Sequence, residues 1–301
     1  MAGVAAPEAL LGALTGTEPE GATAKPGLGI GMWLAIGWCT LLGLLVVLVP
    51  WLPFVKDPDE LSAALQETPT AQHWFGTDDI GRDMFARVAW GGRVSLSIGL
   101  FSLALGFFIG GFVGLTAGYF RGRYERLVMS AIDVMLSFPS LILALALLRA
   151  LSPAGETAGS LGKVTFVLTV LAIPALARIT RANTLTFSKR EFVLAARAMG
   201  AKPRRILTKE ILPNVIPSMV SFAFVALAIL VVAEGALAFL GLSVEAPQAT
   251  WGKLIQDGSS LLDQSPHMAL APCIVMFLTL LSLTFIGDRM QTKFSAREAA
   301  I

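Results

Sequence analysis

The sequence predicts an all-α membrane protein with six transmembrane helices, and three observations carry that reading. Its 301 residues are 55% hydrophobic and only 15% charged, with a mean hydropathy of +0.71. That composition outweighs the two soluble domains that length alone would suggest. Six apolar stretches are each long enough to cross a hydrocarbon core of about 30 Å. Lys and Arg gather in alternate loops, as they do where loops face the cytoplasm. The net charge of +2 says little by itself. Cys39 and Cys273 each sit in an apolar run without CxxC spacing, so neither a disulfide framework nor a zinc site is indicated.

Residues 1–30 carry one Lys and three Glu, with no basic start or early apolar run. They read as a flexible cytoplasmic tail rather than a signal peptide. The first span covers residues 31–53, with Trp33, Trp38 and Trp51 as interfacial anchors. Residues 54–93 hold seven acids against four bases and read as an outer loop. In the second span, residues 94–120, Gly106, Gly110, Gly114 and Gly118 recur every four residues, and Ser95, Gly99 and Ser102 prolong the stripe. Small residues at that period form a ribbon on which another helix can pack closely. Arg121, Arg123 and Arg126, opposed only by Glu125, mark an inner turn.

The third span is expected over residues 127–151, with Asp133 and Pro139 inside it, and a short outer loop, 152–163, precedes a fourth span over 164–185. Between residues 178 and 209 stand nine basic residues and one acid, the strongest cytoplasmic signal in the chain. The fifth span covers 214–242, and a second outer excursion, 243–266, carries Trp251 as an anchor. The sixth span covers 267–286 and a short inner tail 288–301. Six crossings put both termini in the cytoplasm. Residues 94–287 then form the core, with no separate soluble domain.

The inner segment 188–213, SKREFVLAARAMGAKPRRILTKEILP, is polar, basic and patterned. Ser188 with Glu191 has capping-box spacing, which predicts a helix start. Phe192, Ala195, Ala196 and Met199 recur at helical spacing as a short apolar face. Gly200 suits a left-handed C-cap. Pro203 suits the first position of a second helix, and Pro213 is expected to end or kink it. The product is a compact helix–turn–helix on a membrane surface.

No phosphate-binding GxxxxGK[ST] motif is present, neither His73 nor His267 has a partner at metal-ligand spacing, and no Ser/His/Asp set is evident. The chain therefore reads as neither an enzyme nor a holder of metal, cofactor or nucleic acid. Two acids, Asp133 and Glu234, fall within spans, where a charge costs at least about 2.5 kcal/mol and must face protein or water. They are read as hydrogen-bonded structural acids, with a proton or substrate site as the alternative. Thr77, Asp78, Gly81, Arg82 and Asp83 lie in an outer segment. That segment reads equally as a gate or protein-docking surface and as a turn-rich support for the second span, with Thr77 or Asp78 capping a short helix.

Ala195-Ala196, then Gly200, then Ile211-Leu212-Pro213 resemble the "EAA" coupling loop of binding-protein-dependent ABC importer permeases, although Leu194 replaces the motif's Glu and Glu210 its first Ile. His73 to Asp83 is similar to the HWLGTDxLGRD segment of the dipeptide/oligopeptide branch. Asp133 with Phe138-Pro139 resembles its D-x4-FP, Glu234 to Gly241 with Trp251-Gly252 its E-x3-SFLGLG…WG, and Gly287-Asp288 its GD. The resemblance covers roughly residues 72–288 and implies the type I ABC importer permease fold in a cell inner membrane. It implies that Glu191, Ala195, Ala196, Arg197, Gly200, Ala201, Lys202, Pro203 and Arg204 contact an ATPase. The implied partners are a second, similar permease in a heterodimer, two ATPases that hold ATP and Mg, a substrate-binding protein and the lipid bilayer. Short peptides are the implied cargo, with nickel or another small solute as the alternative. A proton-coupled secondary transporter using Asp133 or Glu234 is the reading from a different class. It calls for an internal inverted repeat that the sequence does not display.

Overall fold

The computed structural model describes residues 29–152, 160–244 and 248–299. All but the last two residues of the expected N-terminal tail lie outside that range. Among the described residues nine helices follow in order: α1 (Ile30–Leu48), closed by a 3-10 turn at Val49–Trp51, α2 (Met84–Phe120), α3 (Gly122–Ser137), α4 (Ser140–Leu151), α5 (Leu161–Phe187), α6 (Glu191–Ala198), α7 (Pro203–Phe239), α8 (Trp251–Ser259) and α9 (His267–Ala299). Among the described residues, α1, α2, α5, α7 and α9 are each long and apolar enough to span a membrane, and α3 with α4 makes a sixth if the bent pair is one span.

That bent pair corrects the expected continuous third span. α3 and α4 meet at 95°. Phe138 is extended (φ −83°, ψ 135°), the conformation a following proline imposes, and Pro139 cannot continue the hydrogen-bond ladder. The helix of the second span also begins earlier than expected. α2 begins at Met84 rather than near residue 94, because the Asp83 side chain accepts from the Ala86 N–H and caps it. At the other end, α9 runs without a break past Gly287 to Ala299, so residues 288–299 are helical and continuous with the helix of the last span.

The core forms where α2 lies along α5. A Cβ on Gly106, Gly110, Gly114 or Gly118 would meet Ala172 Cβ at 2.8 Å, Ile173 O at 2.8 Å, Ala177 O at 2.3 Å or Thr184 Cβ at 2.8 Å. These are contacts with α5 of the same chain, close enough that only glycine fits. Around this seam Ile98, Val164, Val167, Leu168 and Leu176 are fully buried, joined by Val231 and Leu237 from α7. Phe108 and Phe112 on the opposite side of α2 are 74% and 67% exposed, as suits a lipid-facing surface.

The tryptophans divide. Trp33 and Trp51 are exposed. Trp38 is half-buried and donates its indole N–H to Thr279 Oγ1 of α9 at 3.1 Å. Trp251, expected to be an interfacial anchor, is fully buried: its indole lies against Gly92 and donates to the Val88 carbonyl at 2.9 Å. The close approach of α8 to α7, where Gly252 meets Gly235, draws the ring inward.

Candidate functional site

The inner segment between α5 and α7 forms two short arms around a tight turn. α5 continues to Phe187, so Ser188 is its helical C-cap (φ −63°, ψ −14°) and lacks the extended backbone an N-cap needs. The expected Ser188–Glu191 capping box therefore does not form. The Ser188 hydroxyl donates to Leu185 O and accepts from Arg121 Nη2, each at 3.0 Å. α6 starts after Arg190 without a side-chain cap.

Of the expected apolar face, Ala196 is buried and Phe192 partly so, while Ala195 and Met199 are exposed; the two buried residues of α6 are Val193 and Ala196. Both pack into a cluster with Leu115, Phe187, Ile206, Ile211 and Val215. Ala195 is exposed, as are Leu194 and Met199, the last at 81%. The helix ends in a Schellman turn: Ala201 N–H donates to Ala196 O at 3.0 Å and Gly200 N–H to Arg197 O at 2.9 Å. Gly200 occupies the left-handed region (φ +78°) with open space around its missing Cβ, so what glycine supplies here is backbone freedom rather than room.

Pro203 opens α7 at its first turn. Pro213 does not end it. A π-helical stretch at Ile206–Ile211 precedes it, in which Leu212 N–H reaches Leu207 O, and the wider turn accommodates a residue that cannot donate. Glu191, Ala195, Arg197, Gly200, Lys202, Pro203 and Arg204 thus present an exposed basic surface, while Ala196 and Ala201 lie behind it, lining a hollow of about 410 Å³.

The outer segment is organised around Asp78, which is buried. Its Oδ1 accepts from the Arg82 N–H at 2.8 Å and the Ile80 N–H at 3.1 Å, and its Oδ2 from Arg82 Nε at 2.7 Å and Arg87 Nη1 at 2.6 Å. Burial by itself would raise this carboxyl, but the Arg82 backbone and side chain, with Arg87, outweigh it and hold it below the ordinary carboxylate range. Thr77 Oγ1 bridges Ala64 O and Glu67 N, each at 2.8 Å. A Cβ on Gly81 (φ +92°) would lie 2.4 Å from Ser62 O. Asp83, rather than Thr77 or Asp78, is the helix cap. Its second oxygen meets His73 Nδ1 at 2.8 Å, and Lys56 stands 3.8 Å away. A polar cleft of about 880 Å³ opens between this segment and α8, lined by Asp79, Arg82, Lys253 and Asp257 among others.

Glu234 is fully buried, and its carboxylate accepts from Ser95 Oγ at 3.0 Å and Ser243 Oγ at 2.8 Å. Ser95 Oγ in turn accepts from the Trp251 N–H at 3.1 Å, so one acid ties α2, α7 and α8 together. Asp133 lies on the surface of α3 and pairs with Arg178 at 2.6 Å. The arginine partners are what sequence reasoning missed. In the sequence Arg178 and Arg181, three apart on an apolar helix, signal only sidedness, and Arg87 only a loop charge.

The family described as binding-protein-dependent transport system inner membrane component matches residues 94–299. The chain is 33% identical over 252 residues to the glutathione transport system permease protein GsiD of Pectobacterium atrosepticum, covering 82% of each. It is 35% identical over 227 residues to the GsiD of an Escherichia coli strain, covering 75% of this chain and 73% of that one. The dipeptide transport system permease protein DppC of Alkalihalophilus pseudofirmus is 32% identical over 259 residues, 83% of each. Among solved structures, an inward-facing MetNI methionine ABC transporter chain shares the fold, with a TM-score of 0.59 and 23% identity. The match covers 70% of this chain and 97% of that one.

Proposed function

The chain belongs to the family of binding-protein-dependent transport system inner membrane components, and from that premise we propose that it forms half of the pathway by which an ATP-driven importer moves short peptides. A permease of this kind is a multi-pass inner-membrane protein. It works with a binding protein and with ATPases that are separate subunits, and ATP hydrolysis belongs to them. Membership sets aside the proton-coupled carrier. The observation that carries the cargo is that relatives sharing about a third of their residues across most of both chains are permeases for glutathione and for dipeptides. Nickel or another small solute is the competing cargo within the same class.

In this reading the partner permease is a second, similar chain and two ATPases sit beneath the pair. Both termini and the α6–α7 turn face the cytoplasm, a placement the nine basic residues between 178 and 209 support. The exposed surface at Glu191, Ala195, Arg197, Gly200, Lys202, Pro203 and Arg204 meets an ATPase, with Ala196 and Ala201 shaping it from behind. Thr77, Asp78, Gly81, Arg82 and Asp83 hold the outer surface on which the binding protein settles.

Proteoliposomes containing the assembled complex test this. They should take up a labelled dipeptide in an ATP- and binding-protein-dependent way, and unlabelled glutathione or dipeptide should compete. Uptake of nickel without peptide uptake would transfer the cargo to the competing reading. In the same assay Gly200→Val should lower stimulated transport severalfold, since a β-branched residue at positive φ costs roughly 1–2 kcal/mol and tilts the exposed turn. Unchanged transport in that variant, or labelling of a cysteine at position 204 from outside the cell, would remove the turn from the coupling mechanism.

A further inference from the structure

The α3–α4 elbow is held to the body of the protein by very little apolar burial. α3 has one buried residue, Ile132, in sixteen, and α4 has two, Ala144 and Leu148, in twelve. α4 keeps an apolar contact with the core through Ala144 and Leu148, whereas along α3 polar ties take the place of packing. Arg181 donates to Glu125, its Nε at 2.7 Å, and Arg178 Nη2 donates to Asp133 Oδ1 at 2.6 Å. The two arginines share one face of α5, three residues apart. The two acids stand eight residues apart on α3, and the pairing runs in opposite senses along the two helices. A third link, Arg121 Nη2 to Ser188 Oγ at 3.0 Å, joins the turn before α3 to the junction of α5 and α6. These three ties end on α5 or at its C-cap, and a fourth joins Tyr124 of α3 to Thr116 of α2 at 3.0 Å.

We propose that Glu125 and Asp133 are positioning residues: with Arg181 and Arg178 they form an ionic clip that makes the α3–α4 elbow move with α5 when the coupling segment is displaced. The clip rests on the coupling reading above and adds a second route to it. The first route is α7, which grows directly out of the turn. The second runs back through α5, across the clip, to an elbow that shares neither a continuous helix nor a large apolar contact with the turn. Isolated surface pairs in water stabilise little. Here the Glu125–Arg181 pair is partly buried and the Asp133–Arg178 pair is exposed, and what two pairs on the same two helices supply is relative position rather than stability. Two elements coupled in this way transmit displacement only while the tie holds.

Charge reversal separates a tie from a merely tolerant surface. In the assembled complex in proteoliposomes, E125R and R181E alone should each lower binding-protein-stimulated transport about tenfold or more. Both should retain bound ATPases and continue to hydrolyse ATP. E125R/R181E together should recover most of the loss, because the pair is restored with its signs exchanged. Transport within about twofold of wild type in both single variants, or no recovery in the double variant, overturns the clip. A second measurement does not depend on tolerance of charge. With Cys39 and Cys273 replaced by Ser, D133C/R178C joined by a short bifunctional thiol reagent should still transport, since the elbow and α5 move as one. Loss of transport on cross-linking, with ATPases still bound, would mean that the elbow must part from α5. Failure of the clip alone is recognised when Gly200→Val impairs coupling and the charge swap does not rescue.

Discussion

Gly114→Leu is expected to prevent the permease from folding to a stable, monodisperse form. A Cβ alone at this position would stand 2.3 Å from Ala177 O, 2.8 Å from Thr180 Cβ and 2.9 Å from Arg181 N. Two of those three atoms are α5 backbone, which cannot rotate away as a side chain tip can. Overpacking ordinarily costs about 1–3 kcal/mol when neighbours can yield; here the helices themselves must separate, and the cost should exceed that range. Separation would also pull Arg181 from Glu125. Gly114→Ala should be milder but still clearly destabilised. Phe108→Leu, on a side chain 74% exposed, should stay within about 0.5 kcal/mol of wild type. Size-exclusion profile and thermal unfolding in detergent or nanodiscs measure this. Equal effects at 108 and 114 would show that α2 has no preferred packing face.

Val193→Asp should unfold the coupling segment while leaving the spans inserted. Val193 is fully buried in the cluster that holds α6 against α7. A carboxylate there has no basic side chain inside the cluster to pair with, and leaving a buried charge uncompensated costs about 3–5 kcal/mol. α6 is only eight residues long, too short to persist without its packing face. Hydrogen exchange over residues 188–211 should become fast, and ATPases should no longer co-purify. Met199→Ala is the counterpart on the outer face. At 81% exposure its side chain contributes little to the fold, so the segment should stay protected while ATPase retention weakens. Loss of protection in Met199→Ala, or full protection in Val193→Asp, would invert the assignment of inner and outer faces. The same reasoning applies to Ala196, which is 5% exposed and faces its own chain. A substitution there tests the packing of α6 before it tests any contact with a partner.

Much of the coupling turn was legible because its signals are local. Gly200 needs only its own backbone to accept positive φ, and Pro203 needs only a helix to begin. Ser188 misled because capping-box spacing is necessary but not sufficient. The preceding helix reached one residue too far and claimed it as a C-cap. Asp83 was available as a cap by residue type, yet the beginning of α2 was hidden by the charges at Arg87 and Arg93, which belong to the helix rather than to the loop. Arg87 can lie within a helix at the membrane surface because buried Asp78 receives it.

By itself the sequence determined the membrane class, the apolar stretches and the uneven charge of the loops, because hydropathy and charge are sums over neighbouring residues and survive any fold. It also determined the dense glycine seam, since four glycines at one period leave a groove whatever fills it. Only the tertiary structure decided that α5 fills that groove, that Trp251 turns inward onto Gly92, and that Val193 rather than Ala195 is the inner face of α6. It alone turned Asp133 and Glu125 from isolated acids into partners of Arg178 and Arg181. Each of these depends on a second element arriving from far along the chain, and a residue's burial or pairing is a property of both surfaces in contact.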